Sequence, residues 1–165
     1  MESSKRDGND SPDDATKEQQ AAELCSQGKL TEAEAIMRDL IAAGTDNHII
    51  YGNLAAICGM QGRSDELINL LNKALQLQPT YPEAHNNLGI TLQEQGKLVE
   101  AISSYEEALK IKYNFPEAHN NLGNALQNQG KLKEAIVSYQ TAIQQRSNFP
   151  EAHSNLGNAL QKLGD

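Results

Sequence analysis

The residues of this chain that are able to do chemistry recur at a fixed interval. His85, His119 and His153 stand 34 residues apart. Imidazole is both an acid–base group and the commonest metal ligand. A shared metal requires ring nitrogens within about 2.1 Å of one ion, whereas packed helices already lie about 8–10 Å apart. Histidines on equivalent helices therefore stack as a row, and a structural role is expected instead of a metal site. Cys25 and Cys58 are the only cysteines. Two distant thiols point to free cysteines in a reducing compartment. Cys58 falls on an apolar stripe, where a thiol is inert, and Cys25 has no histidine near it in sequence. Gly-Lys recurs at 28–29, 96–97 and 130–131. The glycine run and following Ser or Thr of a phosphate loop are absent, so a turn glycine with a solvated lysine is expected. Tyr105 and Tyr139 fall at helix-packing positions. The expectation is a non-catalytic chain with no cofactor and no metal.

Amides form the second recurring set. Asn53, Asn87, Asn121 and Asn155 share one place in four successive units, with Asn86, Asn120 and Ser154 beside them. Asn124 and Asn158 lie one turn on, followed by Gln93, Gln127 and Gln161. An Asn side chain carries an acceptor and two donors, so it matches the N–H and C=O groups of an extended backbone. A row at the repeat spacing would hold main chain without demanding a sequence. The competing role for the same residues is to cap, brace or solvate their own repeat.

The elements that position these residues follow from the repeat itself. Residues 116–149 and 82–115 agree at 22 of 34 positions, and a third copy opens at Pro150. Within one unit, Pro116 suits the first turn of a helix and Glu117 complements its dipole. Ala118, Leu122, Gly123, Ala125 and Leu126 follow at helical spacing. Gly130 ends that helix. A second helix places Leu132, Ala135, Ile136, Tyr139, Ala142 and Ile143 on one face. Such a hairpin is too small to bury both faces alone and must stack on its neighbours. The register predicts helices near 15–27, 30–42, 47–61, 64–77, 82–95, 98–111, 116–129, 132–144 and 150–163. Residues 48–81, 82–115 and 116–149 read as full repeats, 14–47 as a degenerate one with Gln20 where Leu belongs, and 150–165 as the first helix of a further one. Residues 1–13 are polar and read as a disordered tail. Leu156, Ala159, Leu160 and Leu163 keep the internal pattern instead of the polar face of a cap, so a truncated array is expected.

Composition narrows the partners. A net charge of −8 argues against nucleic acid, whose binders carry a basic stripe. No apolar run is long enough for a transmembrane helix, and the N-terminus lacks the apolar core of a signal peptide. A cytoplasmic protein is expected.

The repeat resembles the tetratricopeptide repeat (TPR), through Leu122-Gly123, Ala135, Tyr139 and Ala142 at its offsets. His85, His119 and His153 replace the usual Trp or Tyr, and Tyr113 and Ser147 stand where Pro is common. The resemblance implies an all-α, right-handed TPR α-solenoid of antiparallel helix pairs, about four and a half repeats long. It also implies that the first helices line a concave groove. The amides then face that groove, with Glu83, Glu117 and Glu151 at one edge. The cationic carboxylate clamp of chaperone-binding TPR domains is not matched, because Glu83, Asn86, Glu117, Asn120 and Glu151 occupy its places. The repeats are similar to those of long bacterial TPR arrays, and the amide rows resemble those in kinesin light chains and in the TPR arm of O-linked N-acetylglucosamine transferases. The leading expectation is a scaffold that binds a protein or extended peptide. The alternatives are a substrate-binding arm of, or fusion to, a larger enzyme such as a glycosyltransferase, and a self-associating structural scaffold.

Overall fold

The computed structural model describes residues 12–164. Among them are nine helices: α1 Pro12–Ser26, α2 Leu30–Ala43, α3 His48–Met60, α4 Ser64–Leu77, α5 Pro82–Glu94, α6 Leu98–Ile111, α7 Pro116–Asn128, α8 Leu132–Gln145 and α9 Pro150–Gly164. The expected tail lies outside the described residues up to residue 11. Pro12 and Asp13, read as part of it, instead open α1, where Asp13 and Asp14 complement the helix dipole.

The chain divides into two compact units, Met1–Pro79 and Thr80–Asp165. In the first, α1 packs on α2, α2 on α3 and α3 on α4; in the second, each of α5 to α9 packs on the next. The helices of a pair are joined by one turn used four times. Lys29, Arg63, Lys97 and Lys131 each donate their backbone N–H to the carbonyl five residues back, on Leu24, Cys58, Leu92 and Leu126. The glycine before each of them takes φ between +73° and +82°, a left-handed conformation that costs a side-chain-bearing residue energy. The repeated Gly-Lys is therefore a helix-ending turn.

Small residues set how closely paired helices approach. Ala101 and Ala135 are completely buried, as expected for helix-contact positions. At Gly89 and Gly123 a Cβ atom would fall 2.6 Å and 2.5 Å from the rings of Tyr105 and Tyr139. These two rings, with Ile102, Leu126 and Ile136, centre the core of the second unit. The first unit fills the equivalent places differently. Ala21 and Ala55 take the glycine positions, and Met37 and Leu71 the tyrosine positions, all buried. Larger side chains on the first helix thus accompany slimmer ones on the second. Gln20 is exposed, whereas Leu54, one repeat on, is completely buried.

The first unit also carries a charged lattice that the repeat pattern does not predict. Glu34 accepts from Arg38 at 2.9 Å and Arg63 at 2.7 Å, and Glu66 from the same two arginines at 2.6 Å and 3.0 Å. The guanidinium of Arg63 is the main cause of a Glu34 pKa below the usual carboxylate range.

Candidate functional site

The first helices of the second unit lie in order, α5 touching α7 and α7 touching α9. They carry most of the amides singled out from the sequence. Asn121 donates its Nδ2 to Asn86 Oδ1 at 3.1 Å, and Asn155 donates to Asn120 Oδ1 at 3.0 Å. Both bonds span 35 residues, one more than the repeat. The two asparagines of each unit therefore play different parts. Asn86 and Asn120 are buried and accept from the next repeat; Asn121 and Asn155 are half-buried and donate to the previous one. Asn86 also reaches Asn87 Oδ1 at 3.4 Å.

A second layer of amides holds the tyrosines. Tyr105 donates its hydroxyl to Gln93 Oε1 at 3.1 Å; Tyr139 donates to Asn124 Oδ1 at 2.8 Å and lies 3.5 Å from Gln127 Oε1. Burial raises both phenol pKa values, that of Tyr139 to about 12. Asn158, the equivalent of Asn124 on α9, is exposed. Asn53 is half-buried on α3 in the first unit, where Gly52 takes the place of the accepting asparagine.

Two hollows open along this face. One, of about 230 Å³, is lined by Ile90, Gln93, Glu94, Tyr105, Asn121 and Asn128. The other, of about 250 Å³, is lined by Gln127, Asn158, Gln161 and Lys162. Glu94, Asn128 and Lys162 are one repeat position in three successive units. Their side chains differ, so only the 34-residue spacing marks them in the sequence.

The acidic edge is altered by its neighbours. Glu83 pairs with Lys112 at 2.9 Å, and Glu117 with Arg146. The two cations also cover the rings of Phe115 and Phe149, at 4.7 Å and 3.7 Å. Two of the three glutamates thus face a matched cation, and the edge is less negative than the sequence suggests.

The histidines have structural partners. His119 Nε2 lies 3.1 Å from the Tyr113 carbonyl oxygen, and His153 Nε2 lies 3.0 Å from that of Ser147. A carbonyl only accepts, so Nε2 carries the proton. Tyr51, one repeat position earlier in the series, donates its hydroxyl to the Thr45 carbonyl, also six residues back. His and Tyr thereby do the same work, tying a first helix to the loop before it. Burial lowers the pKa of His119. Among the described residues no three His, Cys, Asp or Glu side chains are grouped to hold a metal ion. Cys58 is fully buried, and burial raises its thiol pKa. Among the described residues no helix is long and apolar enough to cross a membrane.

Comparison with known proteins agrees with this architecture. The TPR repeat family profile matches residues 60–96, 91–130 and 128–164. MamA residues 41-end from Desulfovibrio magneticus RS-1 superposes with a TM-score of 0.81 at 16% identity, covering 92% of this chain and 85% of that one. YrrB gives 0.75 at 21%, covering 87% and 74%. The first TPR of Spaghetti (RPAP3) gives 0.71 at 23%, covering 72% and 94%. A comparison with curated protein sequences gives no match. The structural likenesses show the fold, an α-solenoid of antiparallel helix pairs, and the matched repeats show the family: this chain belongs to the TPR repeat proteins.

Proposed function

We propose that this chain is a non-catalytic binding scaffold that holds an extended peptide along the first helices of its second unit. The observation that carries this reading is the amide ladder. Each bond from Asn121 to Asn86 and from Asn155 to Asn120 uses an Nδ2. An amide retains a further N–H and its carbonyl oxygen after one such donation. The inward bond fixes the rotamer, so the remaining groups are pre-oriented toward a ligand, and pre-orientation reduces the entropy lost on binding. Bracing and gripping are then two functions of one side chain. The hollows beside Gln93 and Gln127 leave room for alternate side chains of an extended chain, which point to opposite sides.

Two of the similar folds support a peptide ligand. The RPAP3 domain is bound to the HSP90 peptide SRMEEVD, and YrrB is a TPR protein with an unusual peptide-binding site. The net charge of −8 favours protein over nucleic acid as the partner.

The test is selection of peptides from a display library by the wild-type chain, then titration against a variant with Asn87, Asn121 and Asn155 all changed to Ala. Each net hydrogen bond is worth roughly 0.5–1.5 kcal/mol, so the triple variant should bind about tenfold to a thousandfold more weakly. Affinity is scored per folded molecule, with a melt alongside. Equal affinity for the selected peptide would leave the amides as braces only.

A further inference from the structure

The groove reading leaves open which peptides fit, and the charges on the same face bear on that choice. Glu94 ends α5, Asn128 ends α7, and Lys162 lies in the last turn of α9. Glu94 lines one hollow and Lys162 the other. Neither takes part in the ion pairs found among the described residues, whereas Glu83 and Glu117, on the same helices' first turns, are matched by Lys112 and Arg146. Glu151 lies at the opposite end of α9 from Lys162. Along the hollows the face therefore runs from an acid, through an amide, to a base.

Resting on the groove reading, we propose that this face selects an extended peptide of mixed charge. A cationic side chain sits beside Glu94, an anionic one beside Lys162, and uncharged residues cross Asn128. Neighbouring helices are about 8–10 Å apart, so the two sites are separated by about 16–20 Å. An extended chain advances about 3.3 Å per residue, which places the charges about five or six residues apart. Charge matching of this kind acts mainly on specificity, because the wrong sign meets like charge at one hollow or the other.

Three capped peptides on one Ser/Ala spine test this: Arg and Glu five residues apart, Arg at both places, and Glu at both. Fluorescence anisotropy is read at low and high salt for the wild type, Glu94→Lys and Lys162→Glu. Both substituted positions are exposed on helices, so circular dichroism should be unchanged. The wild type should favour the mixed peptide by about fivefold. Glu94→Lys should move the preference to the two-Glu peptide and Lys162→Glu to the two-Arg peptide, both preferences shrinking in salt. Equal binding of all three peptides, or one ranking shared by all three proteins, overturns the proposal. The Asn87/Asn121/Asn155→Ala variant separates it from the reading beneath it. If that variant binds the mixed peptide as tightly as the wild type and keeps the charge preference, the amide grip falls and the charge pairing stands. If the variant loses all binding while the wild type ignores charge, the pairing alone falls. If the wild type binds none of the peptides, both fall.

Discussion

The two units build the same helix pair from different parts. In the first, buried Ala21 and Ala55 stand at the glycine positions of the repeat and buried Met37 and Leu71 at the tyrosine positions; in the second, Gly89 and Gly123 face Tyr105 and Tyr139. The first unit locks its exterior with Glu34, Arg38, Arg63 and Glu66. The second spends asparagines between repeats and tyrosine hydroxyls within them. An aliphatic interface makes no polar demand, so its only requirement is volume. A tyrosine interface gains buried area but must give a glycine for the ring and an amide for the hydroxyl. The amide-rich face of the second unit is therefore partly a consequence of its core.

The sharpest way to break this comparison is to convert one unit into the other. Tyr139→Leu should lose about 2–3 kcal/mol by leaving a gap beside Gly123. Gly123→Ala should overpack against the ring by about 1–3 kcal/mol, offset by up to about 1 kcal/mol of helix propensity. The double variant, which recreates the Ala55–Leu71 pairing, should lie within about 1 kcal/mol of wild type. Urea unfolding of the four proteins measures the coupling; additive single effects would show that glycine and tyrosine are not matched.

Next in size is the ladder. Asn120→Ala leaves the Asn155 amide without its acceptor and should cost about 1–2 kcal/mol. Asn53→Ala, on α3 where the side chain makes neither of the two ladder bonds, should change stability by less than about 0.5 kcal/mol. Equal losses would mean the two rows are not energetically distinct.

Alkaline pH should act on the tyrosine interface of the second unit as well. Burial holds the Tyr139 phenol up to about 12, above its unfolded value near ~10. The folded state keeps a proton that the unfolded state releases. The stability this provides is complete below about pH 10 and is lost as pH rises toward 12. The loss should reach about 1 kcal/mol by pH 11, and Tyr139→Phe should remove that part of the dependence. An unchanged profile in Tyr139→Phe would show that other groups govern alkaline unfolding.

The smallest effect belongs to the charged lattice. Glu34→Gln should cost no more than about 1 kcal/mol, a loss that diminishes at high salt. A salt-independent loss would point to packing instead of charge.

Much of the fold is legible in the sequence because its determinants are local and repeated. Pro at the first turn, Gly at the end and apolar spacing of one helical face each act within a few residues, and the copies confirm one another. The site is less legible. Asn86 and Asn87 are the same residue side by side, and only the offset of packed helices decides that one accepts and the other's successor donates. Ion pairing also depends on the far end of the same repeat, 29 residues on, which is why Glu83 and Glu117 read as a bare acidic edge until Lys112 and Arg146 are placed beside them. The histidines were legible as structural, but their carbonyl partners required the loop geometry; Tyr51 at the same position was the available hint.

The one-residue offset of the ladder bears on how such a chain lengthens. Each repeat of the Asn-Asn type presents an acceptor to its successor and a donor to its predecessor. Tandem duplication of a whole unit adds one of each and leaves no orphaned amide at the junction. An insertion of any other length would break the phase. Ser154, which stands in the accepting position on α9, offers a shorter side chain, so a unit copied from there would not extend the same bond. Growth by complete, correctly phased units is thus favoured by hydrogen bonding as well as by shape.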